Sequence, residues 1–185
     1  MVRLLMFLFL LAPFGVCGQS DSTMHHRAKP WVQFVLGSRL PGGFFGIGGG
    51  VELGRAVNPA VVFGLGGGPD GATVAVGNEV RVWRTQRIGV QAWGYWNHAF
   101  GRLEEDEFVS GYRTTTEASS SIKAGASFLV HADPSLSFAL RAGYSWALDV
   151  PTVTVERPSG TASAPSDDPY FGDGYLLGVT AMIWL

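Results

Sequence analysis

From Tyr175 to Leu185 the chain places Tyr175, Leu177, Val179, Ala181, Ile183 and Leu185 at every second position. In an extended strand this spacing puts all six on one face. An apolar face must be covered by a packed protein layer or by lipid. The same alternation runs through most of the chain, so the opposite parity becomes the informative one.

The other end has a different pattern. Arg3 precedes the apolar run Leu4 to Phe14, followed by small residues around Val16-Cys17-Gly18. This is the form of a secretory signal peptide cleaved after Gly18, and a run of about 11 residues is too short to span a bilayer easily. The expected organisation is a signal peptide over 1–18, a periplasmic tail over 19–30 and one domain over 31–185. Cys17 raises the question of lipidation, but Val16 stands where such a site wants a small residue, so acylation is not expected. Removal of Cys17 would leave no cysteine, and hence no disulfide or thiolate metal site. With 15% charged residues and a formal net charge of -2, the chain offers no electrostatic reason to bind nucleic acid.

Two-residue periodicity predicts eight strands. Val32, Phe34 and Leu36 mark the first; Phe45, Ile47, Val51 and Leu53 the second; Val61, Phe63 and Leu65 the third. Val74, Val76, Val80 and Val82 mark the fourth, and Ile88, Val90, Ala92 and Trp96 the fifth. Ile122, Ala124, Ala126, Phe128 and Val130 mark the sixth, Leu136 to Trp146 the seventh and Tyr175 to Leu185 the last. Short turn-rich connections are expected at Val57-Asn58-Pro59, Arg84 to Arg87 and Ala132 to Ser135, after strands two, four and six. The intervening connections are Leu40 to Gly43, Gly67 to Gly71, Arg102 to Thr116 and Val150 to Asp173, the last two being long. Short turns on one side and long connections on the other are the pattern of an outer-membrane barrel. Outward Phe45, Trp96, Tyr144, Trp146 and Tyr175 fall at the height of an upper aromatic girdle. Trp31 and Trp184 lie on the inward parity, which leaves the lower girdle undefined.

The signal peptide, eight alternating strands and apolar terminal strand resemble the small outer-membrane β-barrels of the OmpA transmembrane-domain and OmpX/NspA type, over essentially all of the mature chain. Such barrels commonly end in Phe, whereas this chain ends in Trp184-Leu185, and no peptidoglycan-binding domain follows. The resemblance implies an all-β, eight-stranded antiparallel up-and-down transmembrane β-barrel in the bacterial outer membrane, with both barrel ends periplasmic. It also implies that the assembly machinery recognises the terminal strand.

Glu52, Glu79, Arg81, Lys123 and Arg141 share the inward parity at roughly similar heights, with Asp149 higher. In a narrow lumen these charges are expected to pair, since an unpaired buried charge costs several kcal/mol. The pairs form a structural plug, or else a gate in a narrow pore. Glycines opposite would make room for the long side chains.

Enzymatic readings carry less. His98 sits at the outer-rim height on the outward parity, but no serine lies one or two residues away on its strand, so an interfacial histidine is expected rather than a lipid-modifying site. Gly66 to Gly71 satisfies G-x-G-x-x-G, yet a strand follows where a dinucleotide site needs a helix. His25-His26 lack a third ligand. The acidic run Leu103 to Phe108 could hold divalent cations bridging lipopolysaccharide, although solvated charge is the simpler expectation. The Arg157 to Asp173 stretch is the place for an adhesin contact. The expectation is therefore a monomeric structural or interaction protein, not an enzyme, without cofactor or metal. Its partners would be outer-membrane lipid and lipopolysaccharide. A small-solute channel or adhesin stands second, a lipid A-modifying enzyme third, and a soluble lipocalin-like barrel is the rival fold.

Overall fold

The computed structural model describes residues 29–53, 57–65, 71–105, 111–167 and 171–185. The expected signal peptide with Cys17, the tail with His25-His26 up to residue 28, and Gly66 to Asp70 of the glycine motif lie outside the described residues. The strands are β1 (Lys29–Leu40), β2 (Gly43–Glu52), β3 (Val57–Leu65), β4 (Ala72–Arg84), β5 (Ile88–Ala99), β6 (Arg102–Glu105), β7 (Arg113–Thr116), β8 (Ser119–His131), β9 (Leu136–Ala147), β10 (Thr152–Arg157), β11 (Gly160–Pro165) and β12 (Gly174–Trp184). Eight of them close an antiparallel barrel in the order β1-β12-β9-β8-β5-β4-β3-β2. The terminal strand is the closing one, paired to β1 from Trp31↔Trp184 to Ser38↔Leu177.

The apolar parity faces outward. Val179, Leu140 and Phe128 are exposed, whereas Thr180, Met182, Arg141 and Ser127 on the alternate positions are buried. A soluble barrel would invert this, with Phe45 and Trp96 inside; both are exposed here.

Two local features depart from the periodicity. Val57, Asn58 and Pro59 are not a turn but the start of β3, opposite Val80, Glu79 and Asn78. Pro59 is tolerated because the β2–β3 pairing begins one residue later, at Gly50↔Ala60, so its missing N–H breaks no ladder bond. A register shift between Arg81 and Trp83 then pairs Trp83 with the outward Val90. This bulge turns Trp83, which alternation would place inward, onto the exposed outer surface near the Arg84 to Arg87 turn.

The two long connections are not open loops. They contain β6, β7, β10 and β11, which form a second sheet in the order β11-β10-β7-β6. That order repeats the barrel order β12-β9-β8-β5, so half the barrel wall continues upward as a free-standing sheet. The Ala99↔Ser119 and Arg102↔Thr116 pairs belong to one unshifted hairpin ladder. The β-branched runs Arg113-Thr114-Thr115-Thr116 and Thr152-Val153-Thr154-Val155 are the sequence signal for it.

At the opposite end, Asp133 Oδ1 accepts bonds from the Ser135 hydroxyl and backbone N–H at 2.6 Å and from Leu136 N at 2.9 Å. The Ser135 hydroxyl, then its N–H, hold the Asp133 carboxyl below its ordinary range. A depressed carboxyl stabilises the turn above that range, and the effect is lost as pH falls through the lowered value.

Interior aromatic rings lie over bare backbone. A Cβ on Gly125 would meet Trp93 Cζ2, and one on Gly77 would meet Tyr95 Cγ, each at 2.7 Å. Gly125→Val is expected to cost at least about 1–3 kcal/mol through overpacking. Urea unfolding from detergent micelles measures this, with Ala126→Val on the outer face expected to leave the midpoint unchanged.

Candidate functional site

The lumen is layered, because β4 and β8 carry their inward charges at different distances from the short turns. Nearest those turns, Arg81 Nη1 meets Glu52 Oε1 at 2.9 Å, with both side chains partly exposed. Trp31 and Trp184 close this end, their ring centroids 6.1 Å apart. Trp184 Nε1 donates to Ser137 Oγ at 3.3 Å.

The middle layer centres on Arg141, which is fully buried. Its Nη2 donates to Glu79 Oε1 and, at 3.0 Å, to Gln33 Oε1. Tyr95 Oη donates to the same Glu79 oxygen at 2.7 Å. The Trp93 ring lies beneath the guanidinium, 5.9 Å from Cζ to centroid. Charge pairing, a second acceptor and a π-face together offset much of the desolvation cost of both ions. Gln33, Tyr95 and Trp93 were legible as inward by parity, but side-chain reach across the lumen selects them.

Lys123 does not join either ion pair at a common height. It sits four residues above Ser127, the strand partner of Arg141, and donates through Nζ to the Leu40 carbonyl at 3.2 Å. The expected single-level cluster therefore resolves into two ion pairs and one lysine–carbonyl contact. Counted from the short turns the charges are not level: Arg81 is three residues from Arg84, Arg141 six from Ser135 and Lys123 nine from Ala132. Asp149, unlike Lys123, lies outside the lumen: it is exposed and its Oδ1 accepts from Ser120 N at 2.5 Å.

On the outer surface Phe45, Trp96 and Tyr175 are exposed, with Tyr144 and Trp146 partly buried. Tyr144 contacts Trp146 at 4.9 Å and Tyr175 at 5.3 Å between centroids. Trp96, Ile122 and Trp146 stand in register on three adjacent strands.

His98 has a serine after all, across the ladder rather than along the strand. Its Nδ1 is 3.1 Å from Ser120 Oγ. The ring stacks on Trp96 and meets Phe100 edge-on. Among the described residues no carboxylate hydrogen-bonds His98. In the acidic run, Glu104 pairs with Arg102 and Glu105 with Arg113, each at 2.8 Å. These two carboxylates are paired with arginines; residues 106–108 lie outside the described residues.

These features define a closed eight-stranded antiparallel barrel with an apolar exterior and a charged, aromatic-packed interior. In fold the chain is similar to a major outer membrane protein from Thermus thermophilus, solved by crystallography: the TM-score is 0.53 at 17% identity, covering 86% of this chain and 100% of that one. No protein-family model and no curated protein sequence matches the chain.

Proposed function

We propose that the chain is an integral protein of the bacterial outer membrane, of the small OmpA/OmpX/NspA type, with a structural or interaction role and a lumen plugged by ion pairs. The observation that carries this reading is the inverted barrel, with an exposed apolar face on the lipid side and the fully buried Arg141 bound to Glu79 inside. The fold likeness to an outer membrane protein supports the same location. Short turns then face the periplasm and the β6/β7/β10/β11 sheet faces the exterior. Trp83 supplies the lower interfacial aromatic that strand alternation did not reveal. Lipid and lipopolysaccharide contact the wall, the assembly machinery engages β12, and the protein acts as a monomer, without cofactor or catalytic centre.

Fractionation tests the location: the protein should partition with outer membrane and shift its gel mobility on heating. Planar-bilayer recording tests the plug. The native chain should be silent, with discrete conductance appearing when Arg141→Ala is combined with Lys123→Met, which also frees the Leu40 carbonyl; a silent double variant would leave the ion pair a purely structural role. The protruding sheet favours an adhesin as the second reading, tested by deleting the β10–β11 hairpin and measuring cell binding.

A further inference from the structure

The β1–β2 connection does not rise with the rest of the outer rim. Pro41 and Gly42 lie at the tip of the turn, Gly42 has φ +86°, and Leu40, Pro41 and Gly42 are all buried. A Pro-Gly pair with glycine at positive φ is the chemistry of a type II turn. A register shift between Leu36 and Leu40 bends β1 just below it, and Arg39 adopts φ 57°, a left-handed backbone seldom taken by a non-glycine residue.

The tip is bent inward and held by two side chains from the far wall. Lys123 Nζ donates to Leu40 O at 3.2 Å, and Asn97 Oδ1 accepts from Gly42 N at 3.2 Å. Both bonds are buried and reach across the lumen from β8 and β5. The approach depends on bare backbone. A Cβ on Gly37 would meet Leu40 Cδ1 at 2.8 Å, and one on Gly64 would overlap the Gly42 carbonyl. Trp93, Arg141, Glu79 and Tyr95 fill the layer below, so the tip makes a second closure above the ion-pair plug.

We propose that residues Leu40–Gly43 form a hinged cork in the outer mouth of the barrel, latched by Lys123 and Asn97 and seated on Gly64. The cork rests on the reading of the lumen as a closed path across the outer membrane. The two closures differ in kind. The ion-pair layer is built from side chains on rigid strands, whereas the cork is a short turn whose bent backbone can swing outward once two hydrogen bonds break and the buried Leu40 side chain leaves the core. Opening it uncovers Lys123, Asn97 and Ser145 to the exterior while the wall pairing stays intact.

The test uses the full chain in intact cells, with Cys17 replaced by serine and Ser145→Cys as the reporter. Ser145 is buried, inward, and level with Lys123 across the β8–β9 ladder. The probe is a maleimide on a polyethylene glycol chain too bulky to cross the outer membrane, and Ala164→Cys on exposed β11 gives the unhindered rate. Ser145→Cys should react slowly in the latched protein. It should react at least about tenfold faster with Lys123→Met, which removes one buried hydrogen bond. Gly64→Ala should accelerate it similarly, since its methyl displaces Gly42 while leaving the Lys123 and Asn97 side chains unchanged. Retained heat-modifiable mobility shows that the barrel itself remains folded in each variant. Equal rates with and without these substitutions, or a latched Ser145→Cys as reactive as Ala164→Cys, would overturn the cork. Failure of Ala164→Cys to label from outside would instead contradict the membrane orientation.

Discussion

Replacing Glu79 with leucine is expected to destabilise the folded barrel by about 3–5 kcal/mol, because it leaves the Arg141 guanidinium buried without its counter-ion. Arg141 is fully enclosed, and among the described residues its Nε and Nη1 have no hydrogen-bond partner, so little there can take over the charge. Tyr95 also loses its acceptor. The double variant Glu79→Leu/Arg141→Met should recover most of the loss, since an apolar pair of similar volume escapes the desolvation cost that the ion pair bears. Urea unfolding from lipid vesicles, followed by the heat-induced mobility shift, measures both. If the single variant is as stable as the double, the pair contributes no coupling and the plug must be assigned to aromatic packing alone. Glu52→Leu provides the contrast: its pair with Arg81 is partly exposed at the barrel end, and its loss should be far smaller.

The second large effect belongs to the outer face. Val179 lies midway along β12, exposed, with Leu36 and Leu140 opposite it on the two neighbouring strands. If this row faces hydrocarbon, Val179→Arg should cost about 2–4 kcal/mol, the penalty for a cation near the bilayer midplane. Ser163→Arg on β11, exposed in the protruding sheet, should change stability by no more than about 0.5 kcal/mol. Refolding into vesicles gives both values. A Val179→Arg variant as stable as the parent would show that water, not lipid, covers the barrel wall.

Much of this architecture was readable from alternation alone. The terminal apolar parity implied an outward face, and β12 pairs with β1 as closure requires. Inward parity also singled out Glu79 and Arg141. Alternation carried past Val82 would put Trp83 inside, because a bulge reverses the faces of a strand without leaving a mark in residue types. It read Val57-Asn58-Pro59 as a turn, because proline usually signals one and the end of the β2–β3 pairing cannot be seen locally. The two long connections were read as loops, while short β-branched runs within them had neighbours to pair with only once β9 and β8 stood side by side.

Outside the bulge at Trp83, the sequence by itself determined which barrel residues face out and which face in, since the two-residue period of a strand is a local property of the backbone. Only the tertiary structure decided who meets whom across the lumen. Arg141 reaches Glu79 and Gln33, while Lys123 reaches the Leu40 carbonyl. Those partners lie on different strands, far apart in the chain. Strand tilt, a bulge and an inward-bent turn set their separations, and parity carries no information about any of these.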